Sequence, residues 1–191
     1  MTASRKSRER ERLLGAAVDH ALEHGIGELS LRGLAAALGT SHRMLIYYFG
    51  SRQGLFVEVI RAVEARQREA LASLADDPDA TATDIARRLW QRLIDPALAP
   101  QERLFFEIYG QALQGRPHAV PLLDGIVESW VGPAAELAVS RGADPELARA
   151  SARLGLAVVR GLLLDLLATG DVAGVNAAME HHLALVEAAF S

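Results

Sequence analysis

The stretch from Ser30 to Arg52, SLRGLAAALGTSHRMLIYYFGSR, constrains the fold of this chain more than any other. Two short helical patterns meet there, and so few residues separate them that the chain must turn a tight corner. Ser30 can accept a hydrogen bond from a free amide at the start of the first helix. Gly39 can end that helix, because glycine adopts a positive φ without steric cost. The pattern predicts a helix-turn-helix.

The second helix of the pair, predicted over residues 42–48, has two different faces. Its spacing turns Leu45 and Tyr48 toward the first helix. The outward face is short, polar and aromatic. An arginine on such a surface can donate two parallel hydrogen bonds to a guanine edge, so Arg32 and Arg43 are the predicted base contacts. His42, Tyr47 and Tyr48 are predicted to contact the DNA backbone, although the spacing of Tyr48 also suits the core.

Residues 8–60 resemble the DNA-binding region of the tetracycline-repressor (TetR) family. The matching features are a first helix ending at His24-Gly25, then Leu29-Ser30-Leu31-Arg32, Leu34-Ala35, Leu38-Gly39, Thr40-Ser41 and the run Leu45-Ile46-Tyr47-Tyr48-Phe49-Gly50-Ser51-Arg52. Two positions depart from the family pattern. Met44 stands where a small residue is frequent, and Ile46 where a phosphate-contacting tyrosine is frequent. Those two contacts do not carry over, and Tyr47 or Tyr48 is the candidate for the aromatic one.

The resemblance implies a ligand-responsive homodimeric transcriptional regulator, usually a repressor, that binds an inverted-repeat operator in double-stranded DNA. It also implies a phosphate contact by Arg52. The candidate DNA-binding residues are Ser30, Arg32, Thr40, Ser41, His42, Arg43, Met44, Tyr47, Tyr48 and Arg52. The domains predicted are a helix-turn-helix domain over 1–51, a connecting helix over 52–74, and a ligand-binding and dimerisation domain over 75–191.

Charge is divided unevenly along the chain, whose net charge is −4. Residues 1–60 carry eight Lys or Arg against six Asp or Glu, and residues 61–191 carry twelve against eighteen. Five cations lie close together at the N-terminus: Arg5, Lys6, Arg8, Arg10 and Arg12. Because phosphate attraction is screened beyond about 8–10 Å, a basic end on an acidic protein can still bind DNA. These cations are either DNA contacts or a solvated tail.

Composition favours an all-α protein of about nine helices, since alanine and leucine dominate and β-branched runs are scarce. No cysteine is present, which excludes disulfides and thiolate metal sites. The longest apolar run, Leu154 to Ala168, is interrupted by Arg160 and Asp165, so no membrane span is expected. The N-terminus is polar and basic rather than a signal peptide, and we therefore predict a cytoplasmic protein without a cofactor.

Helical patterns are predicted over 7–24, 31–38, 42–48, 52–74, 81–94, 100–114, 120–141, 145–169 and 172–190. The fourth is the predicted lever between the domains, because at 1.5 Å per residue it spans roughly 33 Å. The seventh is expected to kink near Gly132-Pro133.

The last two helices are joined only by Gly170-Asp171 and must lie antiparallel. The helix over 145–169 is apolar on nearly every side, so it needs a second apolar surface beyond its own core. The simplest supply is the same helix pair from another copy. The predicted dimer-interface residues are Leu154, Val158, Gly161, Leu162, Met179, Leu183 and Val186.

Large aromatic side chains in the second half of the chain suggest a pocket for a hydrophobic small-molecule effector. The candidate ligand-binding residues are Trp90, Phe105, Phe106, Tyr109 and Trp130. Packing in a core would also explain them and is the simpler interpretation of each residue taken separately.

Two other classes of function are an enzyme and a sensor that acts through a protein partner. The sequence contains no Gly-rich phosphate loop, nucleophile elbow or paired carboxylates with a neighbouring base, so we do not predict an enzyme. His20 and His24 have metal-ligand spacing but no third ligand, and no metal is predicted. The alternative that the departures at Met44 and Ile46 leave open is a dimeric small-molecule sensor that acts through a protein partner.

Overall fold

The computed structural model describes residues 2–24, 30–77 and 79–190, and within these ranges it is helical without any strand. The helices are α1 (Thr2–His24), α2 (Leu31–Ala37), α3 (His42–Phe49), α4 (Arg52–Ala75), α5 (Ala82–Leu93), α6 (Ala99–Leu113), α7 (Glu128–Ser140), α8 (Pro145–Thr169) and α9 (Val172–Phe190). Short 3₁₀ turns occur at Pro96–Leu98 and Val120–Leu123. The predicted all-α fold is confirmed. Gly25, Leu29 and Pro78 lie outside the described residues.

Packing groups the chain into two units. One contains the chain up to Ala65 together with Ala97–Asp124, and the other contains Arg66–Pro96 together with the chain from Gly125 onward. Helix α4 therefore contributes to both units. Helix α6 groups with α1 to α3, although it was placed in the C-terminal domain by sequence. The domain boundaries at 51 and 75 stay a prediction.

The first unit is built on the inner face of α1. Its fully buried positions are Leu13, Ala17, Val18 and Ala21, which recur at helical spacing. Leu13 occupies the first buried position, and the adjacent Leu14 is only half-buried. From α4 the same core receives Leu55, Phe56, Val59 and Ile60.

In the second unit, α5 begins with a capping box. The Thr81 side chain accepts a hydrogen bond from the Asp84 amide, and the Asp84 carboxylate accepts one from the Thr81 amide. The hydroxyl of Thr81 and then its amide hold the pKa of the Asp84 carboxyl below its usual value. Further along α5, the buried Trp90 indole donates to the Asn176 side-chain oxygen over 2.8 Å and links α5 to α9.

The predicted seventh helix is wrong in its first half. Val120–Leu123 forms a 3₁₀ turn, Gly125 adopts φ +70°, and α7 begins only at Glu128. A positive φ interrupts a helix, so the chain turns before α7 starts. The bounds predicted for α8 and α9 are confirmed. Asp144 caps the first turn of α8, and Gly170 ends it in the left-handed conformation.

One side chain holds the C-terminal end of α4. The Arg141 guanidinium, which follows α7, donates to the carbonyl oxygens of Ala75 at 3.4 Å and Asp77 at 3.1 Å, and also to that of Ala80. The last carbonyls of a helix have no partner within it, and a part-buried cation supplies donors to them.

Replacing Arg141 with Ala should lower the free energy of unfolding by about 1.5–3 kcal/mol, the range for hydrogen bonds to a charged group. Arg92, an exposed arginine in the last turn of α5, provides the control, and Arg92→Ala should change stability by less than about 0.5 kcal/mol. Urea denaturation followed by circular dichroism measures both. Equal effects of the two substitutions would contradict the role of Arg141.

Candidate DNA-binding surface

The corner between α2 and α3 is fixed by local hydrogen bonds. The Ser30 hydroxyl accepts from the Gly33 amide over 3.1 Å, and the Ser41 hydroxyl accepts from the Met44 amide over 3.2 Å. Gly39 lies between them at φ +61°. The predicted cap at Ser30 and the positive-φ glycine are confirmed. Because each serine uses its oxygen as an acceptor, its O–H remains a donor that can reach a phosphate.

Burial at this corner decides which side of α3 faces outward. Leu34 and Ala35 of α2 and Leu45 of α3 are buried, and Leu45 has no exposed surface at all. The second buried residue of α3 is Phe49, four positions after Leu45, whereas Tyr48 is only half-buried. The prediction that Tyr48 packs with Leu45 missed Phe49, although the i,i+4 spacing from Leu45 could have identified it.

The outward face of α3 carries mixed chemistry. His42 and Arg43 are exposed, Tyr47 is 59% exposed, and Met44 is half-buried. Rings of Tyr47 and Tyr48 meet edge to face, with centroids 5.0 Å apart. On α2, Arg32 is exposed as well. The short helix thus presents a guanidinium, an imidazole and two phenols toward solvent.

Cations of α1 lie beside this face. The Lys6 ammonium is 4.7 Å from the centroid of the Tyr47 ring, and the Arg10 guanidinium is 5.3 Å from that of Phe49. Arg10 also forms an ion pair of 2.9 Å with Glu58 of α4. The sequence left open whether the N-terminal cations are a solvated tail. The structure places Lys6 and Arg10 on a helix next to α3, which no local sequence signal indicated.

The start of α4 completes the surface. Ser51 caps α4 by accepting from the Gly54 amide over 2.9 Å. The Arg52 guanidinium lies 4.5 Å from the centroid of the buried Phe56 ring. This cation–π contact orients Arg52 in the first turn of α4, directly after α3.

The segment that carries these residues matches a known family. Residues 13–59 match the model of the family described as bacterial regulatory proteins, tetR family. The segment that contains α2, α3 and the start of α4 therefore resembles the tetR family.

Solved structures of other proteins are similar to this chain over nearly its whole length. The crystal structure of a protein described as a TetR-family transcriptional regulator from Rhodococcus sp. has a TM-score of 0.70 at 22% identity, covering 97% of this chain and 100% of that one. The multidrug binding protein EbrR, complexed with proflavin, has a TM-score of 0.61 at 28% identity over 92% of this chain and 98% of that one.

A curated relative adds a sequence match. The transcriptional regulatory protein RaaS of Mycobacterium tuberculosis is 29% identical over 111 residues, which cover 45% of this chain and 52% of RaaS. The chain therefore spans about half the length of this relative.

The aromatic residues predicted to bind a ligand do not lie in one packing unit. Phe105, Phe106 and Tyr109 lie on α6 in the first unit, whereas Trp90 and Trp130 lie in the second. Phe105 stacks on Tyr109 with centroids 5.3 Å apart. Trp90 is buried, and its indole N–H is bonded to Asn176, which favours the core interpretation for that residue. The Trp130 ring has the Arg68 guanidinium 5.9 Å from its centroid.

Two of the predicted dimer-interface residues are buried within the protomer, which corrects the prediction for them. Met179 is 2% exposed and Leu183 is 3% exposed, so both belong to the core of their own chain. Val175 precedes them by four residues and is buried too, which defines the inner face of α9. Leu154 is 58% exposed and Gly161 is exposed. The other predicted residues, Val158, Leu162 and Val186, are half-buried.

Exposed apolar residues that the prediction omitted extend the surface of α8 and α9. These are Leu164 and Leu185, each more than half exposed. Leu154, Gly161 and Leu164 are seven and three residues apart, so they share one side of α8. Among the described residues no helix is long and apolar enough to cross a membrane, and no cluster of three metal-ligating side chains occurs.

Gly54 tests how tightly α3 and α4 meet. A Cβ at this position would lie 2.3 Å from the Phe49 carbonyl oxygen, which is backbone and cannot move aside alone. Gly54→Ala should therefore lower the free energy of unfolding by about 1–3 kcal/mol. Gly15 of α1 has open space around its Cβ position, so Gly15→Ala should stabilise the protein by about 0.5–1 kcal/mol. Thermal denaturation measures the change in stability of both variants. If the two substitutions change stability in the same direction, the close contact between Gly54 and the Phe49 carbonyl is refuted.

Proposed function

We propose that this chain is a cytoplasmic, homodimeric transcriptional repressor that binds an inverted-repeat operator and releases it when a small molecule binds. The observation that carries the proposal is the outward face of α3, where Arg43 and Tyr47 are exposed beside the Lys6 ammonium of α1. A major groove admits one helix, and a guanidinium can pair with both acceptors of a guanine edge.

The contacts divide into two classes. Arg32 and Arg43 are exposed and uncommitted to a ring contact in the described part of the chain, and they suit base edges. Lys6, Tyr47 and Arg52 suit phosphates, because each presents a cation or hydroxyl at the border of the α3 face. Ser30, Thr40, Ser41, His42, Met44 and Tyr48 are proposed as further contacts of this surface.

A single copy of α3 is too short to distinguish one DNA sequence from others. It has eight residues, about two turns, and reaches only a few base pairs. Two-fold symmetry places two such helices in successive major grooves about 34–36 Å apart and makes the operator an inverted repeat. The exposed side of α8 that carries Leu154, Gly161 and Leu164 is the proposed dimer surface, together with Leu185 of α9.

Effector control is proposed to act through α4. This helix begins beside α3 with Arg52, and it contributes residues to both packing units. A ligand that displaces a helix packed on α4 would change the position of Arg52 and the spacing of the two recognition helices. To empty the operator decisively, the ligand must prefer the incompetent state by about 10⁴-fold. The complex of the relative EbrR with proflavin supports a small-molecule effector.

Selection from a random duplex library should recover an inverted repeat. On that duplex, Arg43→Ala should reduce discrimination against scrambled DNA by about 1–3 kcal/mol. Lys6→Ala and Arg52→Ala should instead weaken the binding of all DNA sequences alike. Each should lower the slope of log affinity against log salt concentration by about one unit. The exposed Arg116 lies outside the DNA-binding helices, and Arg116→Ala is the control. Failure to enrich any sequence would overturn the proposal and favour a protein partner.

Sedimentation equilibrium tests the dimer. The full-length protein should sediment as a dimer, and Gly161→Arg should yield protomers with unchanged helical content, because an exposed position tolerates the side chain in the protomer. Leu113→Arg introduces the same cation at an exposed leucine of α6 and should leave the dimer intact. A dimer that survives Gly161→Arg would place the interface elsewhere.

A further inference from the structure

Ile46 is an exposed aliphatic side chain on the helix that is proposed to enter the major groove. It is 37% exposed, whereas Leu45 and Phe49 on the inner side of α3 are buried. Single exposed apolar residues are common on protein surfaces and by themselves indicate nothing. This one lies beside Arg43, the residue proposed to contact a base edge, so its chemistry bears on which base pairs the helix accepts.

The rotation of α3 fixes where Ile46 lies relative to its neighbours. Successive residues are about 100° apart around a helix, so Ile46 and Tyr47 lie on opposite sides of Arg43, at about 60° and 40° from it. Tyr47 has the Lys6 ammonium 4.7 Å from the centroid of its ring, and this side of α3 is the one proposed to meet phosphates. With Arg43 at a base edge, Ile46 faces the neighbouring base edges on the other side of the helix.

An isoleucine can meet only one apolar group in a major groove. The base edges present hydrogen-bond donors and acceptors, and the 5-methyl group of thymine is the apolar exception. Against the amino and carbonyl groups of the other bases, an aliphatic side chain displaces water and offers no hydrogen bond in return. Against thymine, the same side chain removes two apolar surfaces from water. The branched Cβ of isoleucine also restricts χ1, so the contact costs little rotamer freedom.

We propose that Ile46 contacts the 5-methyl group of a thymine in each half-site of the operator and makes thymine the preferred base there. This inference deepens the proposed function and rests on it. The step of three residues from Arg43 to Ile46 is a rise of about 4.5 Å along α3, and base pairs follow each other every ~3.4 Å. The thymine therefore lies one or two base pairs from the guanine that Arg43 contacts.

Replacing thymine with deoxyuridine tests the contact without changing the protein. Uracil pairs as thymine does and lacks only the 5-methyl group. Each thymine of the duplex recovered by selection is replaced in turn, and affinity is measured by fluorescence anisotropy. One thymine in each half-site should stand out, with binding about fourfold weaker after its replacement and about 15-fold weaker when both half-sites are changed. Unchanged affinity at every thymine beside the guanine, or an operator with no thymine there, would overturn the proposal.

Cytosine at the same position separates the methyl group from the rest of the base. A cytosine there should weaken binding, and 5-methylcytosine should bind about fourfold more tightly than cytosine, because it returns a methyl group to the same place in the groove. Equal affinity for the cytosine and 5-methylcytosine duplexes would also contradict the proposal.

Ile46→Ala shows whether this side chain is the one that senses the methyl group. The variant should bind the thymine duplex about fourfold more weakly and should no longer distinguish it from the uracil duplex. Alanine favours a helix, so α3 should stay folded, and circular dichroism checks this. Ile46→Val keeps the branched Cβ and should retain part of the preference for thymine.

A matched control is Val139→Ala, which shortens an aliphatic side chain of similar exposure, 40%, on α7. This variant should keep the full preference for thymine over uracil. If Ile46→Ala keeps that preference too, another side chain contacts the thymine and the proposal is refuted.

The two proposals fail in different ways. A protein that enriches an inverted repeat but binds its uracil form as tightly as its thymine form would retain the proposed function and lack the Ile46 contact. A protein that enriches no sequence would have neither.

Discussion

The packing of α2 against α3 is the constraint on which the DNA-binding surface depends. Leu45 has no exposed surface, and Leu34 and Ala35 are buried where the two helices contact each other. Once Leu45 points inward on a helix of two turns, the rotation of that helix is fixed, and the positions on the opposite side must face solvent. Arg43 and Tyr47 are therefore exposed as a consequence of burial elsewhere, and their own chemistry need not hold them there.

Helix α4 extends this constraint along the chain. Ser51 fixes its first turn, while Arg141 holds the carbonyls at and beyond its last residue. Its 24 residues span about 36 Å. In its first turn Gly54 has no room for a side chain, since a Cβ there would lie 2.3 Å from the Phe49 carbonyl oxygen.

Sequence predicted best what is decided locally. The cap at Ser30 and the positive φ of Gly39 each depend on residues within one turn. Periodicity failed where a helix is apolar on more than one side, because it then cannot say which side is buried. For that reason Met179 and Leu183 were assigned to an interface although they lie in the core.

Contacts between distant segments were beyond local reasoning as well. The Arg141 guanidinium donates to carbonyls more than sixty residues earlier in the chain, and the Lys6 ammonium of α1 contacts the Tyr47 ring of α3. Nothing within a turn of either residue encodes its partner. The break before Glu128 occurs at Gly125, which adopts a positive φ where the chain turns before α7.

Gln101 lowers the stability of the core in which it is buried. An unpartnered buried amide costs about 1–3 kcal/mol, and an apolar residue of the same length would remove that cost. The neighbouring Val63, Leu104 and Phe105 provide an environment in which such a replacement would pack well. The cavity beside Gln101 has a volume of about 10 Å³, which is room for about one water molecule. A bound water would give the amide the partner that the chain does not supply, and it would offset part of this cost.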